Sequence, residues 1–435
     1  MSTYGKTGEK QSRRTFLKAG AAKAAGALAG FAVLSKARGA GTDPLRVGLI
    51  GCGGRGTGAA DNILSGAPNV RLVALADLYR DRLDQCLNNL KDPRRKDGAL
   101  PGVEVTKERC FVGFEAYKRL LESGVDLVLL ATPPAFRPIH FAACIEAGKH
   151  VFAEKPVAVD PAGVRKFIET GELARQKGLA VMAGTQRRHD PAFIEAVKRV
   201  KDGQIGQIHA VRCYYNTGFL WKFERQPGWS DMEWQTRNWY YFTWLSGDHI
   251  VEQHIHDLDN VNWVLDALPE RCLAVGGRTV RTEALYGNIY DHFACDYEYP
   301  GGLHVISMCR QWGNTDVKVA VEVVGTKGTA VMEQDGRLFI TGENPWRYRE
   351  PRIDSRKQEQ TDLAAAIRGG SLPNDARSIA ESTLTAILGR EAAYSGSTVE
   401  WEKLKTSQQS LLPEKFEFGP LPVRPVARPG EYKLI

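Results

Sequence analysis

LRVGLIGCGGRGTGAA, Leu45 to Ala60, sets an apolar run against a cluster of glycines and then a stretch of small residues. The run reads as a buried strand, the glycines as a turn, and the segment through Leu64 as a helix. Gly51, Gly53 and Gly56 stand at the G-x-G-x-x-G spacing. There the first glycine permits a tight turn, the second lets backbone approach a pyrophosphate, and the third lets helix and strand pack closely. The unpaired N–H groups that open a helix favour negative charge at the same place. Taken alone the pattern is weak, and a glycine-rich turn without a ligand is the plain alternative. The next strand strengthens it: VRLVALAD, Val70 to Asp77, ends in an acid placed to hydrogen-bond the ribose of a dinucleotide. An acid there favours NAD, while Tyr79 and Arg80 keep NADP open.

Outward from the turn the alternation continues. After a charged insert to about Gly113, EAYKRLLES reads as helix, VDLVLLAT (125–132) as strand and RPIHFAACIEAG (137–148) as helix. HVFAEKP, PAGVRKFIETGELARQKG and LAVMAGTQ then give strand, helix and strand. Such alternation predicts a doubly wound parallel sheet, an N-terminal Rossmann dinucleotide-binding domain over 44–188. Beyond Arg188, QIHAVRCYYN, HFACDYEYP, GLHVISMCR and VKVAVEVVG alternate apolar with polar, as half-buried antiparallel strands do. A C-terminal α+β domain with a large, mostly antiparallel open sheet is therefore expected over 189–420. Its aromatic stretch, residues 218–249, is expected to be a long loop over a cleft. QTDLAAAIRGG and ARSIAESTLTAILGREAAYSG read as two late helices, and 421–435 as an extended Pro-rich tail.

The totals fit an enzyme-like body behind a basic leader. The whole net charge of +7 resides in residues 1–40, which hold eight Lys/Arg and one Glu. The remaining chain is neutral and lacks the positive field that nucleic-acid binding needs. SRRTFLK at 12–18, an interrupted Ala/Gly run and small residues near Gly39 resemble a twin-arginine export signal. This signal peptide implies the twin-arginine export machinery as partner and a periplasmic or other extracytoplasmic destination. An uncleaved anchor or a plain basic tail are the alternatives, and no stable membrane insertion is expected from so short a run. The eight cysteines are scattered without C-x-x-C, so they read mostly as small buried hydrophobes.

Three features together carry a family resemblance: the glycine turn, ATPP at 131–134, and AGKHVFAEKP at 147–156, with Glu154-Lys155-Pro156. They resemble the Gfo/Idh/MocA oxidoreductases, the relatives of glucose–fructose oxidoreductase and inositol dehydrogenase. The likeness continues through VEVVGTKGTAVME (321–333) and the last helices. It implies NAD(P) held by Gly51, Gly53, Gly54, Arg55, Gly56, Asp77, Thr132, Pro133, Arg137, Glu154 and Lys155. Lys155 would lie beside the nicotinamide and steady a developing alkoxide. Relatives commonly carry a histidine where this chain has Arg137, with His140 one turn on. The open sheet of the second domain often packs against another subunit, so a homodimer or homotetramer is expected.

SGDHIVEQHIHDLDNVNWVLD (246–266) holds three of the nine histidines. On a regular helix His249, Glu252 and His256 share a face, with His254 pointing away. The resemblance assigns proton removal to His256, with Glu252 standing where an orienting Asp is usual. Histidine suits the task because it titrates near working pH. A metal site from these side chains matches no zinc-protease pattern, and no metal is expected. Trp221, Trp229, Trp234, Trp239 and Trp244, interleaved with Arg225, Arg237, Tyr240 and Tyr241, suit the grip of a sugar ring, although a packed cover explains about half of them. The candidate substrate contacts are Arg188, His189, Tyr214, Arg237, Trp239 and His249, with Asn216 beside Tyr214.

Export bears on mechanism, because no cytoplasmic pool replaces a lost cofactor outside. The expectation is a carbohydrate oxidoreductase with tightly bound, internally recycled NAD. Transient oxidation followed by elimination, hydration and re-reduction, an NAD-dependent glycosidase, is the second reading. An ordinary dehydrogenase reoxidised by some other acceptor is the third, and a non-catalytic sugar- or nucleotide-binding relative is the alternative from a different class.

Overall fold

The computed structural model describes residues 43–96 and 98–433; the leader assigned to 1–40 lies outside the described residues. The first sheet is built from β1 (Leu45–Ile50), β2 (Val70–Asp77), β3 (Cys110–Val112), β4 (Leu127–Leu130), β5 (His150–Ala153) and β6 (Val181–Ala183). All six run parallel, in the order β3-β2-β1-β4-β5-β6. The chain order reverses between β1 and β4, so a crevice opens at their carboxyl ends, where open α/β sheets bind ligands. Val47, Leu49, Leu127 and Phe152 pack one face against Ala59, Ala60 and Ile63 of the Gly54–Gly66 helix. The opposite face joins Leu130, Phe141, Val151 and Phe167 to a core that continues into the second domain.

The second sheet holds β7 (Ile208–Thr217), β8 (Arg271–Gly277), β9 (His292–Tyr299), β10 (Leu303–Gln311), β11 (Lys318–Gly325), β12 (Gly328–Glu333), β13 (Leu338–Gly342), β14 (Trp346–Arg347) and β15 (Val399–Glu400). Their order is β14-β13-β12-β11-β7-β10-β9-β8-β15, and only the β7–β10 pair is parallel. The mostly antiparallel open sheet read from alternation is therefore present, as a mixed sheet. Phe293, Cys295, Tyr297 and Tyr299 of β9 face inward, whereas Leu273, Val275, Ile306 and Met308 are exposed on the outer face. Seven of the eight cysteines are buried thiols.

Two helices tie the domains together. The Ser355–Gly369 helix returns to pack on the Gly54–Gly66 helix. The Ala376–Ser395 helix is buried almost all round, between the Pro161–Gln176 helix and β8. Inside it Arg390 pairs with Glu391 (Nη2 to Oε1 2.7 Å) and donates to the carbonyls of Val159 (2.7 Å) and Gly247 (3.1 Å). Both charged groups are fully buried.

The aromatic stretch differs from expectation. Instead of one loop it forms short helical segments at Asp231–Arg237, Trp239–Tyr241 and Thr243–Ser246. Ser230 caps the first by accepting from Glu233 N–H at 3.2 Å, and acids in the first turn suit the helix dipole. The histidine segment also departs from a single helix: it splits into His249–Glu252 and Ile255–Leu265. At the break the ring of His254 is drawn to Ser307 Oγ on β10 at 2.6 Å, and its N–H bonds back to the His249 carbonyl at 3.2 Å.

Removing Arg390 leaves Glu391 buried without its cation, which costs about 3–5 kcal/mol. Arg390→Met therefore lowers the unfolding free energy by that amount, read as a lower urea midpoint, and Glu391→Gln in the same chain recovers part of it.

Candidate dinucleotide and catalytic cleft

The crevice is a cavity of about 540 Å³ running from the glycine turn to the broken histidine segment. Its size suits a small-molecule site. At one end Gly51 has φ +97°, and a Cβ there would lie 2.7 Å from Ala131 and Thr132 backbone. A Cβ on Gly56 would lie 1.8 Å from the Gly51 carbonyl, so this glycine sets the close approach of helix to strand. Beside Gly53 and Gly54 a Cβ would meet nothing within 4 Å, leaving open space over the helix N-terminus. A pyrophosphate fits that cradle. Asp77 lines the cavity at the end of β2, holding Cys52 N–H at 2.6 Å and Tyr79 N–H at 2.9 Å. Burial pushes its carboxyl up, against the lowering effect of those two bonds.

Arg55, Thr132, Pro133, Arg137 and Glu154 continue the lining. Arg55 Nε lies 3.1 Å from Glu154 Oε1. Buried Arg137 donates to the Pro156 carbonyl. His140, stacked near Phe136, stands 3.4 Å from Thr132 Oγ1, and burial pushes its pKa down to about 3. These residue types fit a dinucleotide: glycine backbone and a helix start for phosphates, a carboxylate for ribose.

At the other end Lys155 reaches across from the first domain. Its Nζ donates to the Glu252 carbonyl at 2.6 Å and to Glu252 Oε1 at 3.0 Å. Glu252 therefore anchors the lysine and does not orient His256, which corrects the role read from the sequence. The four-residue interval presumes an unbroken helix, and the chain breaks between them. His256 lines the cavity, and among the described residues its ring meets no carboxylate. Burial, then the charges of Lys155, Arg187 and Arg356, hold its pKa well below the ordinary histidine value.

Several candidate contacts lie elsewhere. His249 is fully buried, with Nδ1 on Asp248 Oδ1 at 2.9 Å. Arg188 is committed to Asp259 by two bonds of 2.9 and 3.0 Å, and His189 to Asp362 at 2.6 Å. Tyr214 lies on the outer side of β7 under Lys318, whose Nζ is 4.0 Å from the ring centroid. Tyr215 takes its place in the cleft and donates to Gln253 Oε1 at 2.8 Å. Trp239 and Trp221 line the cavity, whereas Trp234 and Trp244 are core. Arg237 lines it at the Asp77 end, beside Tyr79, and not at the Lys155 end.

Tyr240 of the aromatic segment lines the cavity, and sequence reasoning missed Gln186, Arg187 and Glu359, which line it too. Arg187 bonds Asp257 at 2.7 Å and the His256 carbonyl at 3.1 Å, bracing the histidine backbone. Glu359 reaches in from the Ser355–Gly369 helix with Oε2 buried and unpartnered. Burial and neighbouring Glu154 push its acid well above the usual range.

The comparisons agree with this geometry. Residues 45–185 match the oxidoreductase family with NAD-binding Rossmann fold, and 193–331 match the GFO/IDH/MocA C-terminal domain. The chain belongs to the Gfo/Idh/MocA family of oxidoreductases. It is 27% identical over 292 residues to an inositol 2-dehydrogenase of Rubrobacter xylanophilus, covering 66% of this chain and 71% of the relative. It is 26% identical over 248 residues to a 2,7-anhydro-N-acetylneuraminate hydratase of Escherichia coli, covering 56% and 62%. A scyllo-inositol dehydrogenase from Lactobacillus casei, solved with bound NAD(H) and scyllo-inositol, shares the fold with TM-score 0.63 at 20% identity, covering 83% of this chain and all of that one.

The position of Lys155 beside His256 is open to titration. In the apo protein the ring-proton NMR signal of His256 should titrate below the 6.5 of an ordinary histidine. Lys155→Met removes a cation beside a ring that must charge, so the midpoint should move up, by on the order of one unit.

Proposed function

We propose that the protein moves hydride between a ring carbon of a sugar or cyclitol and NAD held in this cleft. The observation that carries the reading is the meeting of Lys155 and His256 at the far end of a cleft whose near end is the glycine cradle. Bound NAD supplies the hydride acceptor. Gly51, Gly53, Gly54 and Arg55 would hold its phosphates, and Asp77 its adenosine ribose, disfavouring the extra phosphate of NADP. Lys155 spends two ammonium protons on Glu252 and keeps the third for the substrate oxygen. There its charge steadies an alkoxide. His256, kept neutral by its surroundings, accepts the hydroxyl proton. Tyr240, Trp239 and Tyr215 supply ring faces and hydroxyls along the same wall.

The reading extends to export. The leader resembling a twin-arginine signal supports delivery of a folded, loaded enzyme to an extracytoplasmic site, periplasmic where there is an outer membrane. The cofactor then stays bound and is reset within the cleft by a second carbohydrate. A redox-neutral cycle is the second reading, favoured by the hydratase relative, whose named reaction adds or removes water without net oxidation. In it, transient oxidation acidifies the adjacent C–H and a glycoside is cleaved before hydride returns. The exposed Leu273, Val275, Ile306 and Met308 on one sheet face support a homodimer or homotetramer.

Purified protein should retain NAD(H) absorbance through desalting. Incubation with a panel of inositols, aldoses and aryl glycosides separates the two cycles. Paired oxidised and reduced sugars support the first, and free aglycone without net NADH supports the second. His256→Ala lowers kcat by about 10²–10⁴-fold while NADH binding persists; full turnover in that variant removes the assigned base.

A further inference from the structure

The adenosine end of the cleft is walled by segments far from the Rossmann sheet. Directly after Asp77, the Tyr79 hydroxyl lies 2.5 Å from Thr236 Oγ1 and donates to the Glu233 carbonyl at 3.2 Å. The guanidinium of Arg237 covers the Tyr79 ring at 3.7 Å and has Trp229 within 4.9 Å. It also donates to Asp81 at 3.0 and 3.2 Å and to Glu233 at 2.9 Å. These contacts join the first domain to the aromatic segment of the second.

The segment leading into the C-terminal tail backs the same wall. The ring of Phe418 lies 5.2 Å from Phe114 and 6.0 Å from Tyr79, and that of Phe416 lies 5.3 Å from Phe136. Phe114, Tyr79 and Phe136 all line the cavity. The segment is itself tied down, because Met232 N–H donates to the Gly419 carbonyl at 3.2 Å and Leu421 N–H to Asp231 at 3.0 Å. Since Tyr79 N–H holds Asp77 Oδ1, whatever fixes Tyr79 also fixes the ribose-facing carboxylate.

We propose that Arg237, Phe416 and Phe418 are part of the dinucleotide site: they clasp Tyr79, Asp81 and Phe114 around the adenosine end and keep bound NAD(H) from leaving between turnovers. This rests on the NAD-dependent reading above and adds the structural reason for retention. Release of the adenosine end requires Tyr79 and Phe114 to part, and that breaks charge-assisted bonds and ring contacts across three segments at once. Such contacts couple because they share partners.

The test is displacement of NADH fluorescence from the holoenzyme by excess NAD, in wild type, Phe416→Ala/Phe418→Ala and Arg237→Gln. Both variants should release NADH faster, by roughly 10–100-fold, the scale of losing a charged hydrogen bond or a ring pair. Reduced nicotinamide mononucleotide, which has no adenosine, separates a clasp from general damage. Its affinity should be the same in all three proteins, and a parallel loss for it would overturn the proposal. Unchanged NADH release from variants that bind NADH also overturns the clasp and leaves the function standing. A wild-type protein that binds no NADH overturns both. If the double variant does not fold, Arg237→Gln and Phe418→Leu decide the question by the same measurements.

Discussion

Two bonds from one ammonium group hold the two domains together at the far end of the cleft. Lys155 belongs to the segment that follows β5, and Glu252 to a four-residue helix in the other domain. Their pairing, carbonyl and carboxylate both, joins the two halves of the cleft at the end proposed for hydride transfer. Glu252 is in turn set by Asp248, which opens its helix at φ +78°. The Asp248 carboxylate accepts from His249 N–H at 2.5 Å, Tyr290 N–H at 2.7 Å and the Tyr394 hydroxyl at 2.5 Å. Arg390 holds the preceding Gly247 carbonyl. A buried polar frame bonded at so many points favours one arrangement, with Glu252 Oε2 and His249 Nε2 left unpartnered within it.

The same logic explains why the late helices return to the first domain. The Ser355–Gly369 helix packs on the helix whose N-terminus opens toward the cradle, and delivers Glu359 and Arg356 to the cleft. The crevice of the parallel sheet thus takes its other wall from the second domain. In the proposed reaction the substrate carbon lies against Lys155 and His256, where a neutral histidine and a fixed cation act together.

Much of the fold was legible because periodicity follows burial. The period-two strands Leu303–Gln311 and His292–Tyr299 and the parallel β1, β2 and β4 could be read directly. The glycine spacing likewise carried the cradle, since sterics leave little choice at Gly51 and Gly56. The site was legible only in part. Choosing Tyr214 over Tyr215 was an error of one residue, and one residue turns a strand side chain to the other face. In GTQRRHDP the adjacent pair Gln186 and Arg187 faces the cleft, while Arg188 and His189 find acids elsewhere. Helical spacing failed from His249 to His256 because the segment breaks after Glu252, where His254 bonds Ser307 on β10. Glu359 gave no signal, as its sequence reads as an ordinary packing helix.

The most direct test of hydride transfer follows a label. Enzyme loaded with NADH carrying deuterium at the transferable nicotinamide position is mixed with the keto form of a carbohydrate it accepts, in ordinary water. The account predicts deuterium at the newly formed carbinol carbon of the product, and its loss when His256 and Lys155 are both replaced. Product that carries hydrogen from the solvent at that carbon, with the label still on the cofactor, would contradict it.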